Sequence, residues 1–169
     1  MIIIKNIMLF LVFVAISSIG IIISDKYKKR VIDLKEMKTA LNMFETKIKF
    51  TYEPIPSIFN QIAENVSPQI GKIFKKAASK MDKQTAGDAW RVSLDESQTA
   101  LNEEDKQILM GLNKLLGKTN LEGQISEIQL TSNFLNHQIE KAQTEEEKNR
   151  KMYRTLGITL GLAIVIILI

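Results

Sequence analysis

An uncharged apolar block stands at each end of this chain, and the pair limits what the residues between them can become. The C-terminal block follows Lys148-Asn149-Arg150-Lys151-Met152-Tyr153-Arg154 and carries no charge from Leu156 to Ile169. At about 1.5 Å per helical residue it reads as a short membrane span with a basic collar and an interfacial tyrosine. The N-terminal block, Met1 to Ser24, is interrupted only by Lys5 and Asn6, and Ile7 to Ile23 nearly spans a bilayer. A cleaved secretory signal is the competing reading, because Ala15-Ile16-Ser17 mimics a small-x-small cleavage site. Against it, the apolar run continues past Ser17, and positive charge is heavier after the run than before it. The expected organisation is an N-terminal transmembrane helix over 1–24, a water-soluble body over 25–152 and a C-terminal transmembrane helix over 153–169. The second block reaches the last residue of the sequence, so the body is expected to do the work.

Charge order sets the expected topology. Lys26, Lys28, Lys29 and Arg30 follow the first block, and Lys148, Arg150, Lys151 and Arg154 precede the second. Only Lys5 and the amino terminus lie before the first block. The positive-inside rule then puts the body in the cytoplasm and both termini outside, with the collars against anionic lipid head groups. The net charge of +4 is thereby accounted for at the membrane edge and does not point to nucleic acid. No basic stripe with interleaved aromatics of the kind that grips single strands occurs in the body. With no cysteine, disulfides and thiolate metal sites are excluded.

Between the collars every segment reads as helix. Leu34, Met37, Leu41, Phe44 and Ile48 are spaced three and four apart, an apolar seam on a helix that continues out of the first span to about Phe50. Such a seam is expected to pack inside its own domain rather than against another chain. Glu53-Pro54-Ile55-Pro56 breaks that helix, and Ile58, Phe59, Ile62, Ala63 and Val66 mark a short second one. Ser67-Pro68 starts a third, carrying Ile70, Ile73, Phe74, Ala77 and Met81 on one face. Thr85-Ala86-Gly87-Asp88 has capping-box spacing and opens a fourth with Trp90, the single tryptophan, as a core or groove anchor. Asn102, followed by Glu103, Glu104 and Asp105, opens a fifth; Ile108, Leu109, Leu112, Leu115 and Leu116 line it, and Gly117 is its expected end.

Asn120 is the expected cap of the last helix, whose seam is Leu121, Ile125, Ile128, Leu135, Ile139 and Ala142, with Ser132 as its weak point. No breaker occurs between Gln124 and Leu156, so this helix is expected to run uninterrupted into the second span and to act as a lever. Period-two alternation is absent. The fold expected is all-α: an antiparallel bundle of about six helices between two terminal transmembrane helices.

Catalytic chemistry finds little to use. The eight glycines form no phosphate loop. His137, the one histidine, sits among polar neighbours without a nucleophile elbow nearby. Glu103-Glu104-Asp105 and Glu145-Glu146-Glu147 are consecutive acids, which on a helix point in different directions. The chain is expected not to be an enzyme and to need no cofactor or metal. Gly157 and Gly161 say more. Their Gly-x-x-x-Gly spacing lets two helix backbones approach closely, either with the first span, which offers Ala15, Ser18 and Gly20, or with another subunit.

One set of motifs carries a family resemblance. It comprises Lys148-Asn149, Lys151-Met152-Tyr153-Arg154, Leu156-Gly157 and Gly161-Leu162. Thr85-Ala86-Gly87-Asp88-Ala89-Trp90 belongs to it, as does the run Leu116-Gly117, Asn120, Gln124, Ile128, Leu130. Taken together, and over essentially the whole chain, these resemble the stage III sporulation protein AB family of endospore-forming bacteria. The chain departs from the family where Glu53 precedes Pro54 in place of a threonine, where Asn113 replaces a common glycine, and where Asn120 replaces a common aspartate. The resemblance implies a mother-cell protein in the membrane around the engulfed forespore, within a multiprotein assembly similar to a secretion apparatus. It also implies a body like the cytoplasmic domains of the inner-membrane platform protein of type II secretion and type IV pilus systems. The partners implied are a secretion-type ATPase and other membrane subunits; a homo-oligomeric scaffold without a motor is the alternative.

Overall fold

The computed structural model describes residues 2–51, 53–114, 116–117 and 120–168. These form α1 (Ile2–Phe50), α2 (Ile55–Asn65), α3 (Pro68–Lys80), α4 (Ala86–Asp95), α5 (Glu103–Met110), α6 (Leu121–Glu145) and α7 (Lys151–Leu168). A 3-10 turn (Gly111–Lys114) follows α5, and a π turn (Glu146–Arg150) joins α6 to α7. With α6, the π turn and α7 counted as one continuous helix, six helices are present among the described residues, and no strand. The all-α expectation is met. Two compact units divide the chain: Met1–Val31 with Lys141–Ile169, and Ile32–Glu140. Both divisions fall inside the stretch that hydropathy assigned to the body.

In the Ile32–Glu140 unit, the α1 seam is buried in full: Leu34, Met37, Leu41 and Phe44 are at most 1% exposed and Ile48 is 8% exposed. Apolar burial of this kind drives folding at about 25 cal/mol per Å² removed from water. The core centres on four rings contributed by four helices. Phe59 meets Phe44, Phe74 and Trp90 edge-on, at centroid separations of 5.1, 5.0 and 5.8 Å. Phe74 lies 5.2 Å from Trp90. Edge-to-face contacts set the positive ring edge against the negative face, which fixes how the helices can rotate against each other. Trp90 donates its indole Nε1–H to the Leu109 carbonyl at 2.8 Å, tying α4 to α5 with no polar atom left over.

Capping follows the sequence at most helix starts. Thr85 Oγ1 accepts from Asp88 N–H, and Asn120 Oδ1 accepts from Gly123 N–H. At α5 a full capping box forms: Asn102 Oδ1 accepts from Asp105 N–H, and Asp105 Oδ2 accepts from Asn102 N–H. Asp105 is therefore a buried structural group. One start differs from expectation. Ser67 makes no side-chain cap; its backbone N–H instead donates to Glu36 Oε2 of α1 at 2.9 Å. At α2 the cap position is Pro54, and Glu53 steadies the first turn by accepting from Ser57 Oγ and Gln61 Nε2.

The end of α5 is a further difference. The helix tightens into the 3-10 turn at Gly111, and Gly117 lies beyond it at φ +70°, a left-handed backbone conformation that strains any residue with a Cβ. Leu115 lies outside the described residues. Along α6, Ile128, Leu135, Ile139 and Ala142 are buried, whereas Leu121 is 38% exposed. Ser132, the polar member of that seam, is buried with its Oγ 3.5 Å from Asn42 Oδ1.

The expected uninterrupted last helix is continuous but not uniform. No apolar side chain other than Ala142 occurs between Glu140 and Lys151. The helix widens into a π turn over Glu146–Arg150, past Ala142.

Candidate functional site at the membrane edge

Among the described residues two helices are long and apolar enough to cross a membrane, Ile7–Phe50 and Leu121–Leu168, of mean hydropathy 2.8 and 1.6 over their most apolar stretches. Their apolar parts lie together in the Met1–Val31/Lys141–Ile169 unit. Gly157 and Gly161 are the buried residues of α7. A Cβ placed on Gly157 would lie 2.9 Å from Gly20 Cα and 3.3 Å from Ser17 O. One placed on Gly20 would lie 2.7 Å from both Gly157 Cα and Tyr153 O. The two backbones are therefore in direct contact, as small residues permit in lipid. Gly161 takes the next turn, against Phe13 and Ser17.

Of the small residues expected to receive this face, Gly20 does so. Ala15 is exposed, and Ser18 turns its hydroxyl to Val14 O at 2.7 Å. Ser17 takes the place expected of Ser18. Helical spacing would have found it, since Phe13, Ser17, Gly20 and Ser24 fall on one face at intervals of four, three and four.

Beyond the glycines the pairing continues through polar groups. Tyr27 and Tyr153 stack, with centroids 5.9 Å apart and planes within 15°. Arg30 Nη1 donates to Glu145 Oε2 at 2.6 Å, and the Arg30 side chain is only 8% exposed. Arg30 is thus an internal ion-pair residue of the two-helix unit and not an exposed member of the collar. These contacts carry the helix pair past Ser24 and short of Met152, which accounts for the inward shift of the unit boundaries. Lys26, Lys28 and Lys29 remain exposed on α1, as do Lys148, Lys151 and Arg154 at the start of the second span. Arg150 reaches back one turn to Glu146 at 3.1 Å.

The other groups singled out in the sequence are dispersed. His137 is exposed on α6. Glu103 and Glu104 are exposed, while Asp105 is spent on the α5 cap and Glu145 on Arg30. Among the described residues no group of three or more histidines or acids is placed to hold a metal ion.

The model of the family described as stage III sporulation protein AB matches residues 5–169, taking in both spans and everything between them. The chain belongs to the stage III sporulation protein AB family. A relative of that name from Bacillus subtilis (strain 168) is 24% identical over 161 residues, covering 93% of this chain and 94% of its own. A solved structure titled stage III sporulation protein AB superimposes with a TM-score of 0.67 at 20% identity, covering 71% of this chain and 98% of that one. At that identity the match shows the shared helical fold. The chain is a sporulation protein of this family, with two helices suited to a membrane.

Proposed function

We propose that this protein is a non-enzymatic platform within the membrane assembly of stage III sporulation. Its helical body docks a cytoplasmic secretion-type ATPase, and its paired spans link that motor to the channel or secretion subunits in the membrane around the forespore. The observation that carries the reading is the family match over residues 5–169 in a chain whose two spans close on each other at Gly20 and Gly157. A closed pair of spans is a firm membrane fixture, as a platform requires. The exposed Lys26, Lys28, Lys29, Lys148, Lys151 and Arg154 supply the charge bias that would hold the body in the cytoplasm with both termini outside, where an ATPase can reach it.

The alternative is a homo-oligomeric scaffold joined through Gly157 and Gly161. It would require a glycine face that Gly20, Ser17 and Phe13 already cover within one chain. The platform reading is tested by reconstituting the full chain in lipid nanodiscs and titrating in the ATPase encoded with the same assembly. Saturable binding that survives removal of nucleic acid is expected. No binding at micromolar ATPase overturns the reading.

A further inference from the structure

Helices α3 and α4 flank a cleft that belongs neither to the core nor to the membrane edge. The ring contact of Phe74 with Trp90 packs the two helices together, and the cleft between them holds about 760 Å³, the size of a ligand site. It lies wholly within the Ile32–Glu140 unit. Helix α3 lines it from Gln69 to Ser79, about 15 Å at 1.5 Å per residue. Gln69, Lys72, Lys76 and Ser79 recur at intervals of three and four, so they form one stripe, with Lys75 beside it. The other wall is Ser93 and Glu96 of α4, with Ser97 and Gln98 just after it.

The charges of this lining do not cancel. Lys72, Lys75 and Lys76 face a single acid, Glu96. That acid is already neutralised within the chain, its Oε2 lying 2.5 Å from Lys76 Nζ and 3.6 Å from Lys80 Nζ. Lys72 and Lys75 are exposed and, among the described residues, make no hydrogen bond or ion pair. Three positions apart on one helix, they are neighbours of like charge, an arrangement that costs the helix free energy and that a bound anion relieves.

A second, independent feature lies at the floor. Ser93 is 1% exposed, and its Oγ has no hydrogen-bond partner. A buried hydroxyl left unpaired forfeits its hydration without compensation. Because Ser93 lines the cleft, an oxygen of an occupant can accept from it.

The rest of the lining narrows the occupant. Among the described lining residues Ile73 alone is apolar, and it is 1% exposed, so an acyl chain finds no bed. No aromatic ring or arginine lines the cleft on which nucleic-acid bases could stack. A second copy of this chain is a poor source of acid, because both of its acidic runs are engaged: Glu145 with Arg30, Glu146 with Arg150, and Asp105 in the α5 cap.

We propose that the α3/α4 cleft binds an acidic segment of a different protein. Two carboxylates of that segment meet Lys72 and Lys75, and a further oxygen accepts from Ser93 Oγ. The inference goes beyond the platform reading, because it names a surface and the chemistry of its partner whether the segment belongs to the ATPase or to a membrane subunit.

The test places the photoreactive residue p-benzoylphenylalanine at Gln98, on the cleft wall, in the full-length protein in sporulating cells, with the same residue at His137, exposed on α6, as the control. Mass spectrometry then identifies the crosslinked segment. The expected product is one other protein, joined through a segment rich in Asp and Glu. Lys72→Glu with Lys75→Glu should cut its yield at least about tenfold, and Lys72→Gln with Lys75→Gln should cut it less, while Trp90 fluorescence stays unchanged. Glu96→Gln releases Lys76 and Lys80 to the cleft and should raise the yield. Ser93→Ala should lower the yield severalfold without lowering the unfolding temperature, since the hydroxyl has no partner to lose within the chain. Crosslinks to a second copy, to lipid, to nucleic acid or to a segment without excess acid overturn the inference. So does a yield no higher than the His137 control, or one indifferent to the lysine variants. If position 98 captures nothing while the ATPase still binds the reconstituted chain, the cleft inference fails and the platform reading stands. If an acidic segment is captured and the ATPase does not bind, the reverse holds.

Discussion

Arg30 and Glu145 lie 115 residues apart in the chain and meet at 2.6 Å, the arginine nearly removed from solvent and the glutamate about one-third exposed. The pair links α1 to the end of α6 just before the π turn, where apolar side chains have run out. Glu145→Gln should replace the carboxylate that the largely buried Arg30 guanidinium donates to by a neutral acceptor and cost about 1.5–3 kcal/mol, the range for hydrogen bonds to charged groups. Replacing both partners, as Arg30→Met with Glu145→Leu, should recover most of the loss, because no charge is then buried alone. A double-mutant cycle on thermal unfolding in lipid nanodiscs checks this. Losses that simply add would show that the two residues do not interact.

The contact of Gly20 with Gly157 predicts an order of sensitivity. Gly20→Leu and Gly157→Leu should force the spans apart, since even a Cβ at either position would overlap backbone of the other helix. Gly161→Ala should be milder, because the nearest atoms are the Phe13 ring, at 3.0 Å, and Ser17 Oγ, at 3.1 Å, which can turn away. The chain has no cysteine, so Tyr27→Cys with Tyr153→Cys makes a clean reporter for short thiol crosslinkers. Crosslinking yield should fall severalfold with either leucine variant and change little with Gly161→Ala.

Trp90 is fully buried and bonded to Leu109 O, so its fluorescence should be blue-shifted in the native protein and move to the red on unfolding. Trp90→Phe keeps a ring against Phe59 and Phe74 but removes the indole N–H that donates to the Leu109 carbonyl, a loss of about 0.5–1.5 kcal/mol. Trp90→Ala opens a cavity under four helices and should cost about 3–5 kcal/mol. Circular dichroism against denaturant measures both, since neither variant retains a tryptophan.

Two exposed carboxylates give the protein a modest acid sensitivity. Hydrogen bonding from Lys76 holds Glu96 below the ordinary carboxylate range, and Ser57 does the same for Glu53. A carboxylate whose pKa is lower in the folded chain than in the unfolded one adds stability above its unfolded pKa. That contribution disappears as pH falls through the folded value. Glu96→Gln should therefore be less stable than the parent at neutral pH, and the two stability curves should converge under acid conditions. Lys76→Ala should raise the Glu96 pKa toward normal, measurable by NMR titration of the carboxyl carbon.

Much of the fold was legible in the residues themselves. Apolar spacing alone located the α1 seam from Leu34 to Ile48, and every one of those side chains is buried, because a 3.6-residue period leaves a helix one face to hide. Local signals placed Asn102, Thr85 and Asn120 at helix starts, since a cap needs only its own first turn. Ser67 holds the cap position without a side-chain cap bond, and its backbone N–H is tied to Glu36 of another helix, a contact no local signal carries. The site was legible in part. Spacing marked Gly157 and Gly161 as a close-packing face, and hydropathy marked the collars.

What tertiary structure alone decided was pairing. A basic collar reads as four equivalent cations, yet Arg30 turns inward to Glu145 while Lys26, Lys28 and Lys29 stay in solvent. Periodicity told that α6 hides one face, but not that Leu130 and Phe134 would stay uncovered beside α5. The sequence by itself determined the helices, the two apolar ends and the closeness the glycines allow, because these depend on neighbours within a turn or two. Which glycine, acid or ring each residue would meet depended on the chain returning from far along its length.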